Sequence, residues 1–120
     1  MRYLMLLWEA EDARARLTSA ERSARGKAYF EFLGGLRRAG ALEAGAPVQP
    51  DRATSTVEVR DGLRTVRQGP AQITDLALGA CFVIDAPNLD HALDWAARCP
   101  VATTGAVELR PLMELPPLDD

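Results

Sequence analysis

A single histidine, His91, and two cysteines, Cys81 and Cys99, are all that this 120-residue chain has of those types. One histidine and no C-x-x-C spacing leave no recognisable set of zinc ligands, so neither a metal nor another cofactor is expected. Cys81 falls inside an apolar strand and Cys99 at a helix end, where each suits a small buried hydrophobe. A structural disulfide is not expected without a secretory context, and the cytoplasm is the expected compartment. Long apolar runs are missing too. The run Tyr3 to Trp8 is far below the roughly 20 residues of a membrane span. Glu9, Glu11 and Asp12 follow it where a signal peptide would place small cleavage-site residues. Net charge is only -3, and the 14 Lys and Arg are dispersed. That distribution gives no basic stripe to neutralise phosphates, which argues against direct nucleic-acid binding. There is no glycine-rich phosphate loop, no Ser/His/Asp order and no Cys/His pairing at usable spacing.

What is present is patterned hydrophobicity, 48% of the residues. Arg2 to Trp8 reads as a strand apolar on both faces, Tyr3, Met5 and Leu7 on one and Leu4, Leu6 and Trp8 on the other. Thr18-Ser19-Ala20-Glu21 is a capping-box signal for a helix with Tyr29, Phe32, Leu33 and Leu36 on its inner stripe. Gly34-Gly35 weakens that helix by roughly 1 kcal/mol per glycine relative to alanine, and Gly40 suits its stop. Leu42 to Val48 is a short strand that Pro47 confines to an edge or a bulge. Thr54 to Arg60 and Leu63 to Arg67 form a hairpin about Asp61-Gly62, a type I′ turn signal. Gly79 to Asp85 is a second strand apolar on both faces. Pro87-Asn88 opens a second helix, with Leu89, Ala92, Leu93 and Ala96 as its expected core stripe and Pro100 ending it. Val107 to Leu112 is the last strand.

The order β-α-β-β-(β)-α-β is a ferredoxin-like α+β plan with an extra hairpin. It predicts an antiparallel sheet with two helices on one face, in a single domain over residues 1–115 with a frayed tail over 116–120. Two helices cover one sheet face, whereas both central strands are apolar on both. A homodimer packed sheet to sheet is the expected cover for the other, and a monomer whose open face is shielded by the long middle segment is the alternative.

The run Val59-Arg60-Asp61-Gly62, the turn Gln68-Gly69-Pro70-Ala71 and the following apolar strand resemble the signature region of the YCII-related family, in its Asp-Gly-Pro-Phe branch. Arg2-Tyr3-Leu4-Met5-Leu6-Leu7, Leu36-Arg37-Arg38-Ala39-Gly40, Val48-Gln49-Pro50, Leu89 to Ala96 and Val107-Glu108-Leu109-Arg110-Pro111 extend the resemblance over most of the chain. It implies a dimeric α+β barrel. The family it points to includes a lactone-processing dehalogenase and neighbours of extracytoplasmic-function sigma factors. The signature here is degenerate: Gln68 and Ala71 stand for its acid and aromatic, Gly34 and Gly35 stand where acids are usual, and Ile73 and Leu76 where further acids are. The helix-one stretch from Glu21 to Phe32 has no histidine to match the His–Asp pair of the other branch.

Few titratable candidates remain. Asp75 is the one carboxylate in the signature loop, and His91 lies on the outer side of the second helix with Trp95 one turn on; these are the catalytic candidates. Trp8, Gln68, Gly69, Pro70, Gln72 and Thr74 are the ligand-binding candidates, in a cleft between sheet and signature loop walled by Trp8, Ile73 and Leu76. Loop polarity and core packing account for the same residues. Arg60, Arg64 and Arg67 guard the hairpin edge or meet an anion. The acidic cluster Glu9, Glu11 and Asp12 suits a helix N-terminus. The expectation is a non-catalytic module that binds a small apolar or partner ligand, or a dimeric accessory module. A lactone-processing or hydrolytic enzyme using Asp75 or His91, and an interaction module in sigma-factor signalling, are the alternatives.

Overall fold

Alternation along the first strand decides the layering. In a computed structural model that describes residues 1–118, β1 (Arg2–Glu9) buries Tyr3, Met5 and Leu7 almost completely, while Leu4, Leu6 and Trp8 stay half-buried. Its hydrogen-bonded neighbour β5 (Ala77–Asp85) behaves alike: Ala80, Phe82 and Ile84 are buried, and Cys81 and Val83 half-buried. Strand neighbours share a face, so the two buried rows form one continuous apolar floor. β6 (Ala106–Pro111) lies on the far side of β1, and β2 (Leu42–Pro47) beyond β5. The sheet order is β2-β5-β1-β6, all antiparallel, which is the ferredoxin-like arrangement. Pro47 ends the edge strand β2, as its missing N–H requires.

Two helices cover the buried floor. α1 (Ser19–Arg38) begins at the expected capping box: Thr18 Oγ1 accepts from the Glu21 amide at 3.1 Å, and Glu21 Oε1 accepts from the Thr18 amide at 2.9 Å. It contributes Phe32 and Leu36 to the core, with Tyr29 and Leu33 packed at the margin, and Gly40 follows it at φ 69°. α2 (Leu89–Arg98) starts at Asn88, whose side chain accepts from the His91 amide at 3.0 Å.

The core stripe of α2 differs from the expected one. Ala92 and Ala96 are buried, but Leu89 and Leu93 are each 49% exposed, and the inward row continues through Trp95 and Cys99. Small side chains let the helix lie close against the core, and that closeness turns the neighbouring leucines outward. The Trp95 ring covers Gly35 of α1 and carries the Arg98 guanidinium on its other contact, 4.3 Å from the ring centroid.

β3 (Ser55–Arg60) and β4 (Leu63–Gln68) form a separate two-stranded ribbon. Asp61 and Gly62 take φ of 53° and 75°, the pair of positive values that a type I′ turn needs. The ribbon stands off the domain. Val57, Val59 and Val66 are all more than half exposed, and the radius of gyration is 16.8 Å, against about 14 Å for a compact chain of this length. No helix among the described residues is long and apolar enough to cross a membrane. The last two residues of the expected tail, 119–120, lie outside the described residues.

Candidate functional site

Leu7 and Trp8 point to opposite faces of β1, and each helps line a different cleft. Between them the pairing with β5 slips: Leu7 faces Ala80 and Trp8 faces Leu78, so Gly79 is the extra residue of a β-bulge.

The first cleft is the one expected from the sequence, between the sheet end and the loop before β5. It has a volume of about 380 Å³ and is lined by Trp8, Asp51, Pro70, Ala71, Gln72, Leu76, Ala77 and Leu78. Of the ligand-binding candidates, Trp8, Pro70 and Gln72 line it. The others hold the loop. Gln68 Nε2 donates to the Arg52 carbonyl at 2.5 Å, and the Gly69 amide donates to the Thr54 carbonyl at 2.7 Å. Thr74 Oγ1 donates to the Leu76 carbonyl at 2.5 Å. The indole N–H of Trp8 is taken by Glu108 Oε1 at 3.0 Å. Ile73 is 86% exposed and is not part of the wall.

Asp75 and His91 line neither this cleft nor the second one. Asp75 is exposed in the loop before β5; His91 is exposed in the first turn of α2, with Nδ1 3.0 Å from Asn88 Oδ1. Two of the hairpin arginines are spent locally. Arg67 donates to the Pro70 and Ala71 carbonyls at 2.9 and 3.0 Å and so clamps the signature turn, and Arg60 pairs with Glu58 at 3.2 Å. The acidic cluster divides into three separate contacts: Glu11 caps the Asp51 amide at 2.7 Å, Asp12 pairs with Arg16 at 2.6 Å, and Glu9 turns toward α1.

Glu9 leads to the second cleft, on the helix side of the sheet. It has a volume of about 350 Å³, within the size range of small-molecule sites. Leu7, Ala80 and Gly79 form its floor, Leu17, Pro47 and Val101 its sides, and Arg22, Gly26 and Tyr29 its α1 wall. Arg22, Gly26 and Tyr29 recur at helical spacing, so one stripe of α1 presents all three. Gly26 leaves open space, since a methyl group placed on it would meet nothing within 4 Å.

Charge gathers at the mouth. Arg14, Arg22 and Arg25 line the cleft together with Glu9. Arg25 Nη2 lies 2.6 Å from Glu9 Oε1, and Glu9 Oε2 accepts from Thr104 Oγ1. The carboxylate is therefore held on both oxygens. Arg25 Nη1 is buried and has no hydrogen-bond partner among the described residues. Burial pushes the Tyr29 hydroxyl up to about 12, with the nearby Cys99 thiol adding to the shift and Arg25 opposing it, so Tyr29 keeps its proton at neutral pH. The sequence expectations centre on acid–base pairs and do not include these arginines. The signal was there: Arg25 sits four residues before the core aromatic Tyr29, on a stripe where a solvated charge is out of place.

A solved structure with a similar fold is 5-chloro-2-hydroxyhydroquinone dehydrochlorinase (TftG) from Burkholderia phenoliruptrix AC1100, in complex with 2,5-dihydroxybenzoquinone. The likeness covers 94% of each chain at a TM-score of 0.55, with 13% sequence identity, and so speaks for the fold. No curated protein matches the sequence. The family model described as the YCII-related domain matches residues 1–116, nearly the full length, and the chain belongs to the YCII-related family.

Proposed function

We propose that this YCII-related protein is a dimeric module that binds a small ligand without transforming it, and that the ligand occupies the cleft between α1 and the sheet. The observation that carries this reading is the lining of that cleft. It offers an apolar floor and an open volume of about 350 Å³, yet its one carboxylate, Glu9, is already engaged by Arg25 and Thr104. Proton transfer needs a group free to exchange its proton near neutral pH. Tyr29 keeps its proton well above that range, and Asp75 and His91 lie elsewhere.

Gly26→Leu tests the reading. The substitution places a butyl group in the open space of the cleft and removes a helix-interior glycine, which favours α1 by about 1 kcal/mol. Fragment screening by amide chemical-shift mapping is expected to locate binders at Leu7, Tyr29, Ala80 and Val101, and Gly26→Leu to abolish that binding in a folded protein. Binders that map to Trp8 and Gln72, and survive Gly26→Leu, would move the site to the loop cleft. The similar fold of a dehydrochlorinase makes turnover the competing outcome. Conversion of a chlorinated hydroquinone or a lactone, lost in Asp75→Ala or His91→Ala, would establish an enzyme instead.

A further inference from the structure

We infer that the ligand of the helix-side cleft is a monoanion, a carboxylate on an apolar body, and that Arg25 is the residue that recognises its charge. The inference rests on the α1–sheet cleft being the ligand site. Three guanidinium groups and one carboxylate line the cleft, which leaves two positive charges unbalanced within it. Glu9 is satisfied by Arg25 Nη2 and Thr104. Arg25 Nη1 is buried without a partner among the described residues, although buried polar groups in folded proteins are nearly always bonded. Its guanidinium thus has a donor left over, on a residue that lines the cleft together with the apolar floor.

The chemistry narrows the class. Guanidinium donors match a carboxylate in shape and charge, and such charge-assisted bonds are stronger than neutral ones. A phosphate dianion would bring its second charge close to the Glu9 carboxylate, which Arg25 Nη2 already holds. Leu7, Ala80 and Val101 provide the surface for a hydrocarbon or aromatic body. The Tyr29 hydroxyl, one helical turn from Arg25, remains a donor across the physiological pH range. Arg14 and Arg22 are exposed at the rim, where they attract an anion without fixing its geometry.

Paired probes separate charge from shape. Octanoate, phenylacetate and 2-naphthoate are titrated by amide chemical-shift mapping, each beside its neutral primary amide. At least one acid is expected to bind at the cleft tenfold or more tightly than its amide. Arg25→Met should bring the pair together, and Arg14→Gln with Arg22→Gln should weaken the acid two- to fivefold and flatten its salt dependence. An amide that binds within twofold of its acid would overturn the anion assignment and leave the cleft as a ligand site. No binding by either probe type would overturn both. Arg25→Met also strands Glu9, so the acid-to-amide comparison on the unaltered chain decides if that variant does not fold.

Discussion

At the scale of single residues, some stabilising contacts are marked plainly in the sequence. Thr18 and Glu21 satisfy two otherwise orphaned amides at the start of α1, and the contact with the Thr18 backbone and hydroxyl holds the Glu21 carboxyl below its ordinary value. Thr18→Ala should destabilise the fold by about 1 kcal/mol. It should also let the Glu21 carboxyl titrate nearer its usual range, which carbon-detected NMR reads directly. Tyr29 and Cys99 set the alkaline limit. Burial, chiefly, raises the Cys99 thiol above its ordinary 9.0 and the Tyr29 hydroxyl from 10.0 to about 12. In both cases the folded chain keeps a proton that the unfolded chain releases. Their contribution is therefore complete below pH 9 and is lost as pH rises, beginning near 9 for Cys99 and continuing toward 12 for Tyr29. Thermal melts from pH 8 to 11.5 should show this fall, and Tyr29→Phe and Cys99→Ala should each make it shallower, whatever they do to stability at pH 8.

At the scale of elements, legibility follows how local each cause is. The capping box, the Asp61-Gly62 turn, the edge position of β2 and the two doubly apolar strands are written in neighbouring residues, and each lies where expected. The rotation of α2 is not local. It depends on how near the helix sits to its neighbours, and the alanines at 92 and 96 permit an approach that leucines at 89 and 93 would prevent. Ala92→Leu should destabilise the fold by about 1–3 kcal/mol through overpacking, whereas Leu93→Lys should change it by less than about 0.5 kcal/mol. Denaturant titration of the two variants distinguishes this orientation from the one read from the sequence. The helix-side cleft was hidden for a related reason. Arg25 and Glu9 are 16 positions apart, and only the fold of α1 back over β1 joins them. The loop cleft was more visible, because Pro70, Ala71 and Gln72 are contiguous, but the sequence did not show that Gln68 and Thr74 spend their side chains on backbone carbonyls.

At the scale of the molecule, the uncovered side of the sheet calls for an explanation. Both helices pack on the Tyr3, Met5 and Leu7 face, and the opposite face carries Leu4, Leu6, Trp8, Cys81 and Val83 in adjoining rows. Of the β6 residues on that face, Glu108 and Arg110 are charged. Glu108 lies opposite Leu6 and binds both the Trp8 indole and Arg110, so one margin of the patch is charged and its centre is not. An apolar centre with a polar border is the pattern of an interface. A two-fold-related copy of the same sheet supplies a matching surface, because a symmetric interface uses one patch on both partners. The hairpin, a sheet of its own, offers a smaller surface of three exposed valines. Leu6→Lys tests which surface matters. Glu108, directly across the strand pair, gives the new ammonium a partner in the single chain, so the fold should survive. In a sheet-to-sheet dimer the same charge is taken out of water, and its symmetry mate with it, at a cost of several kcal/mol. Sedimentation velocity should therefore find the parent at twice the chain mass and Leu6→Lys at one chain mass with an unchanged far-ultraviolet spectrum. Val57→Lys, on the hairpin, should sediment with the parent; a monomeric Val57→Lys beside a dimeric Leu6→Lys would transfer the interface to the ribbon.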